Sequence, residues 1–395
     1  MKNNWPTFTK KEIDKVSKVL SSGKVNYWTG DECRLFEQEF AEYFDSRYAI
    51  ALANGTVAID IALKALQIGK GDEVIVTSRT FIASVSSIIN CGAVPKFCDI
   101  CPNSQNINPE NIKHLINKKT KGILCVHLAG WPCEMDEIMR ISKKHNLFVI
   151  EDCAQAHGAM YKGKSVGSFG DVGCWSFCQD KIMTTLGEGG MVTTDNKKLW
   201  KKMWSIKDHG KSYDAVYKKK HPPGFRWLHE SFGTNYRMTE IQGAIGRIQL
   251  KQLKNWTKKR NRNQNIIWSN CKKLKGIRVP RFNEKTSEFY HPGNVHAAYK
   301  CYIFVQPEYL KNGWNRERIV ESVVKRGIPC FSGSCSEIYL EKAFEKTEFK
   351  PQKRLPNAKM LGETSIMFLI HPTLTKSEID LTCAVFKEIM EKATK

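Results

Sequence analysis

Apolar positions between residues 50 and 195 recur with two alternating periods. Residues 56–66 (TVAIDIALKAL), 81–92 (FIASVSSIINCG) and 133–146 (CEMDEIMRISKKHN) repeat at the spacing of an amphipathic helix, the second one stopped by glycine. Residues 73–78 (EVIVTS), 93–100 (AVPKFCDI), 122–130 (GILCVHLAG) and 147–154 (LFVIEDCA) are short apolar runs, as expected of strands covered on both faces. Alternation at this spacing predicts an α/β domain with a mostly parallel sheet flanked by helices, whose ligands bind beyond the carboxyl ends of the strands.

The pattern changes after residue 196. A helix is expected over 197–210, then an irregular basic stretch over 211–232, which fits a lid, a subunit contact or a disordered insert. A long helical pattern over 238–274 follows, then a strand over 297–305 and helices over 316–327 and 377–393, enough for a smaller α/β domain. A chain of 395 residues exceeds the usual limit of one core, so we divide it into a large domain, 1–250, and a small C-terminal domain, 251–395.

Composition narrows the class. Hydrophobic residues make up 41% of the chain, and no apolar run has the length of a membrane span, so no membrane association is expected. The first residues lack the apolar core of a signal peptide, and the fourteen cysteines are scattered, which suits reduced thiols in the cytoplasm. Cys98 and Cys101 form a lone CxxC without a second pair at zinc-ribbon spacing, so no metal site is expected. The net charge of +22 invites a nucleic-acid partner, yet the lysines spread along helix faces and no stacking pattern of aromatics accompanies them. We expect no nucleic-acid binding; steering of anionic small substrates is the milder consequence.

Three features carry chemistry. Leu147–Ile150 predict a central strand, which puts Glu151 and Asp152 at its ligand-binding end, although a carboxylate there can simply cap a turn. Lys181 follows a second buried strand, GCWSF, although a lone lysine at a sheet rim is usually a solvated charge. Asn54-Gly55-Thr56 ends a strand and opens a helix, offering backbone N–H groups to an anion or, more plainly, an ordinary N-cap. Neither a Walker loop nor a strand-linked GxGxxG is present. An anion cup, an acid and a lysine at one sheet edge meet the needs of pyridoxal phosphate: a seat for its phosphate, an acid beside its ring nitrogen and an amine for the Schiff base.

The blocks NGTVAIDIAL, GDEVIVTSRTFIAS, EDCAQAHGAMYKGKSVGSFGDVGCWSF, Lys181 with GEGGMVTT, and GTNYRMTEIQGAIGRIQL resemble, in order and spacing, the DegT/StrS-type sugar aminotransferases. They cover roughly residues 20 to 250. The resemblance implies the aspartate-aminotransferase (type I) PLP fold, with a seven-stranded, mostly parallel sheet in the large domain. By residue it implies that Lys181 is the Schiff-base lysine, Asp152 the pyridinium partner and Gln155 the amide beside the ring oxygen. Gly55, Thr56 and Ser176 match the phosphate cup, and Phe81 the aromatic that stacks on the ring. Asn235 would reach across a homodimer to the neighbouring phosphate. The family implies pyridoxal 5'-phosphate cycling through pyridoxamine 5'-phosphate, with L-glutamate as amino donor and a nucleotide-linked keto sugar as acceptor. The NYRM block resembles the viosamine- and perosamine-type subgroup, which places the new amine at C4 of a 4-keto-6-deoxyhexose; a 3-keto sugar is the alternative.

Departures are also visible. Cys178, Gln179 and Asp180 stand before the lysine where relatives commonly carry an aromatic or histidine, proline and threonine. The retained lysine argues against the related dehydratases, in which a histidine stands at that position, and intact Lys181 and Asp152 argue against a non-catalytic regulator. His157 is either substrate-facing or packed beside the strand, and Cys330 and Cys335 in CFSGSC are expected to be reduced core cysteines.

Overall fold

Strands β1 (Tyr48–Leu52), β2 (Glu73–Thr77), β3 (Val94–Cys98), β4 (Thr120–Val126) and β5 (Phe148–Asp152) rise in succession, most of them separated by a helix. A two-residue hairpin, β6 (Met160–Tyr161) with β7 (Lys164–Ser165), precedes β8 (Val172–Ser176) and β9 (Gly190–Thr194). The computed structural model describes residues 5–285 and 290–395. Seven of these strands form one sheet in the order β1-β9-β8-β5-β4-β2-β3, in which only β9 runs antiparallel to its neighbours. Helices cover both faces, so β2, β8 and β9 are buried at every position, which is why their sequences read as unbroken apolar runs.

A second sheet has the order β10-β11-β13-β12, built from Ile277–Arg278, Cys301–Val305, Ser365–Phe368 and Cys330–Phe331, with β12 and β13 the last two in chain order. Helix Leu253–Cys271 joins the two cores: Leu253 packs with Trp175 and Phe177, whereas Ile267, Trp268 and Cys271 pack with the second sheet. No described helix is long and apolar enough to cross a membrane.

The structure corrects several local expectations. Strand β5 includes both Glu151 and Asp152 and excludes Leu147, because Asn146 takes a left-handed conformation at the end of the preceding helix and the Leu147 amide closes back on Ser142. The pattern over 238–274 is two helices, Glu240–Leu250 and Leu253–Cys271, broken at Lys251 and Gln252. The strand expected from 297 starts at Cys301, because Ala298 has φ of 52°. The stretch 211–232 holds one short helix, Tyr213–Tyr217, capped by Ser212. The cysteines form no disulfide and nine are buried, but Cys335 is exposed and not a core residue.

His157 belongs to the core. Its ring lies 5.2 Å from Trp175 and 5.6 Å from Phe177, and neither nitrogen has a hydrogen-bond partner. Burial, then the positive charges of Lys181 and Arg260, push its pKa from the ordinary 6.5 down to about 3. Between those values the unfolded chain binds a proton here that the folded chain refuses, so stability falls as the solution is acidified through that window. His157→Phe should flatten the acid limb of a urea-unfolding series by at most about 1.4 kcal/mol per pH unit. An unaltered slope below pH 6 would show that the histidine does not contribute.

Candidate active site

The carboxyl ends of β1, β2, β5 and β8 meet at one edge of the sheet, above a cleft of about 640 Å³. Asp152 ends β5 and is almost sealed from water. Its Oδ2 accepts from Ser84 Oγ at 2.7 Å and its Oδ1 from the Ala154 amide at 3.0 Å. Thr80 Oγ1 lies 2.7 Å from Ser84 Oγ, which extends the chain toward the end of β2. Burial raises the proton affinity of Asp152, while Ser84, Ala154 and the charge of Lys181 pull it back. The carboxylate is thus held ready for a cationic partner in the cleft.

Lys181 follows β8 through the turn 178–181, closed by its own amide donating to the Cys178 carbonyl at 3.0 Å. The Trp5 indole donates to the Lys181 carbonyl at 2.9 Å, which fixes the backbone from the other side. Its Nζ lies 3.3 Å from Asp180 Oδ1, and Tyr299 donates its hydroxyl to Asp180 Oδ2.

Across the cleft, helix Gly55–Ala65 begins with Asn54 as its N-cap, whose side chain accepts from the Val57 amide at 3.0 Å. The amides of Gly55 and Thr56 precede any intrahelical acceptor and form the positive end of that helix. Only glycine fits at 55: a Cβ there would stand 2.5 Å from Ser176 Cβ. Gln155 accepts from the Ala129 amide through Oε1 at 2.8 Å, which leaves its two N–H groups to serve as donors.

Lys181, Asp152, Gly55, Thr56, Phe81, Gln155 and Ser176 all line the same cleft, and the Phe81 ring is 69% exposed in it. Asn235 does not line it. That residue is exposed, and its Oδ1 accepts from the Arg237 amide at 3.3 Å. An acid, helix-start amides and an amine lining one cleft suit a phosphorylated pyridine aldehyde.

The model of the DegT/DnrJ/EryC1/StrS aminotransferase family matches residues 6–387. The chain belongs to this family. An aminotransferase from Psychrobacter cryohalolentis has the same structure with a TM-score of 0.97, at 60% identity over 99% of both chains. The GDP-perosamine synthase of Escherichia coli O157:H7 is 42% identical over 68% of this chain and 71% of its own. The dTDP-3-amino-3,6-dideoxy-alpha-D-galactopyranose transaminase of Aneurinibacillus thermoaerophilus is 41% identical over 62% of this chain and 63% of its own. The protein is therefore an aminotransferase, of a family whose aminotransferases depend on pyridoxal phosphate.

Sequence reasoning missed Ser84, Thr80 and Tyr299. Thr80 and Ser84 are four residues apart around a helix start, a spacing that brings two hydroxyls together, but nothing local pointed them at Asp152. Glu151 lies at the same strand end with another duty. It pairs with His127 Nε2 at 3.0 Å and accepts the amides of Gly167, Phe169 and Gly170, so it builds the loop behind the cleft.

Ser84→Ala removes one donor from a buried carboxylate. The cofactor-free aminotransferase should lose about 1–3 kcal/mol in urea unfolding, and a loss below half a unit would mean that water replaces the hydroxyl.

Proposed function

We propose that this aminotransferase moves the amino group of L-glutamate to a keto sugar linked to a nucleoside diphosphate, with 2-oxoglutarate as the other product. The observation that carries this reading is the meeting of Lys181 and Asp152 in one cleft, roofed by the start of helix Gly55–Ala65. Amination at C4 of a 4-keto-6-deoxyhexose is the position we favour, in keeping with the perosamine synthase relatives. The transaminase acting at C3 is nearly as similar, so the 3-keto sugar is the alternative.

In this reading pyridoxal phosphate, when bound, supplies an electrophilic carbonyl carbon and an electron-withdrawing ring. Gly55, Thr56 and Ser176 would hold its phosphate, Phe81 would pack against its ring, and the amide of Gln155 would be a donor for the ring oxygen. Asp152 keeps the ring nitrogen protonated, because a cation there satisfies a carboxylate that burial otherwise penalises. Lys181 would supply the amine for that carbonyl carbon and, when free, would take the proton from the α-carbon of glutamate and later deliver one to the aminated sugar carbon. One site serves both halves, so ping-pong kinetics follow. Residues 1–250 would carry these groups, and the residues lining the cleft fall between Asn54 and Glu188.

The active form we propose is a homodimer, in which Asn235 reaches the phosphate held by the partner subunit. Support comes from the segment before it: Phe225, Trp227 and Phe232 are 79%, 85% and 102% exposed, an arrangement that calls for a covering surface.

Purified protein given pyridoxal phosphate should develop a visible absorbance band that glutamate bleaches, and Lys181→Ala should show neither. Incubation with glutamate and a panel of 4-keto and 3-keto nucleotide sugars, read by mass and NMR, should place nitrogen at C4. Nitrogen at C3 selects the alternative, and no uptake of the cofactor sinks the reading altogether.

Replacing Phe225 and Trp227 together by serine should weaken self-association at least about tenfold in sedimentation. Unchanged dimers would clear this arm of any role at the interface.

A further inference from the structure

Asp180 is one of the three residues before Lys181 that depart from the family's usual pattern, and its surroundings give it a task. Its carboxylate has two partners: Oδ2 receives the Tyr299 hydroxyl, and Oδ1 faces Lys181 Nζ at 3.3 Å. Tyr299 is itself fixed, buried at the entrance to the second sheet, with its amide bonded to the Ala129 carbonyl at 2.9 Å.

The neighbourhood is otherwise cationic. Lys300 Nζ stands 4.6 Å from the centre of the Tyr299 ring, and Lys181 Nζ stands 5.4 Å from it. Arg260 donates to the Tyr299 carbonyl through Nη1 at 3.3 Å, while its Nε and Nη2 have no partner. Burial brings the Lys300 ammonium down to about 8, with Arg260 and Lys181 pushing the same way and Asp180 opposing them. Burial alone would raise Asp180, but Lys181, the Tyr299 hydroxyl and Lys300 hold it below the usual carboxylate range.

We propose that Asp180, braced by Tyr299, is a positioning residue for Lys181: it receives the ε-ammonium whenever that amine is not covalently engaged. The proposal rests on the reading of Lys181 as the reactive amine. The first half of a ping-pong cycle frees this amine and the second takes it back, so in between it stays free and has to keep its place. A freed ammonium beside Lys300 and Arg260 is repelled toward solvent, and a four-carbon stem lets it go. A carboxylate at the adjacent residue opposes that repulsion.

An exposed ion pair of this kind adds little to stability, because ordering two side chains offsets the attraction. Here that ordering is provided in advance. The Tyr299 hydroxyl sets the carboxylate, and the Trp5 indole sets the lysine backbone. Placement of the amine, not stability, is therefore the effect to measure.

The test starts with the full chain stripped of cofactor, its amines arylated by trinitrobenzenesulfonate near neutral pH and the rate at Lys181 read by peptide mass relative to exposed Lys387. Asp180→Asn should raise the Lys181 rate about tenfold, and Tyr299→Phe about threefold, since an amine no longer held against the carboxylate presents its free base to the reagent more readily. Asp180→Glu should return the rate most of the way to wild type. In the cofactor-loaded enzyme Asp180→Asn should lower kcat with KM for glutamate little changed.

Equal Lys181 rates in wild type, Asp180→Asn and Tyr299→Phe overturn the proposal. So does a rise that Asp180→Glu fails to reverse, which marks disturbed packing. Tyr299→Phe keeps every charge and carries the test alone if Asp180→Asn does not fold. A protein that takes up no pyridoxal phosphate sinks the proposed function but leaves the labelling rates readable.

Discussion

A carboxylate sealed from water at the edge of a parallel sheet is the constraint on which the cleft depends. Burying a charge such as Asp152 costs several kcal/mol unless its oxygens are satisfied and an opposite charge lies nearby. Ser84, the Ala154 amide and Lys181 meet those needs, and each comes from a different element. The demand propagates outward. Thr80 fixes Ser84, and the Thr80 amide bonds the Cys335 carbonyl at 3.2 Å, so the segment after strand Cys330–Phe331 is tied to the acid through three links.

Glu151 shows how neighbouring positions on one strand are given unlike work. Successive side chains of a strand face opposite ways, so Asp152 looks into the cleft and Glu151 away from it. Glu151 is fully buried, yet its carboxylate is held below the usual range, because His127 and three loop amides outweigh the cost of burial. The His127 ring is oriented in turn by the Cys133 amide, which donates to Nδ1 at 2.9 Å. One acid builds the wall and the other faces the cleft.

Cations are treated with less economy. Arg79 is fully buried, bonded to Ser336 and Ser365 and placed 5.3 Å from the Tyr302 ring, and its Nε has no partner. Arg260 is in a similar position, lowered to about 9 by burial. Both lie where the two sheets meet, and sites that keep such unfavourable groups are commonly those that bind ligands. The positive field they share with Lys181 and Lys300 favours the anionic donor and acceptor proposed above.

Much of this was legible in the sequence. The alternating periods showed the layered sheet, and the ends of its runs marked Gly55, Asp152 and Lys181, because helix and strand periods are properties of a few adjacent residues. Tertiary structure alone decided that β9 enters between β1 and β8, that Ser84 rather than water satisfies Asp152, and that Tyr299 braces Asp180. It also put His157 among aromatic rings instead of in the cleft, a choice the sequence left open. Such pairings join residues tens to hundreds of positions apart, and no local pattern encodes them. They exist only when closure of the chain brings both partners to one place and removes the water that would otherwise have served either.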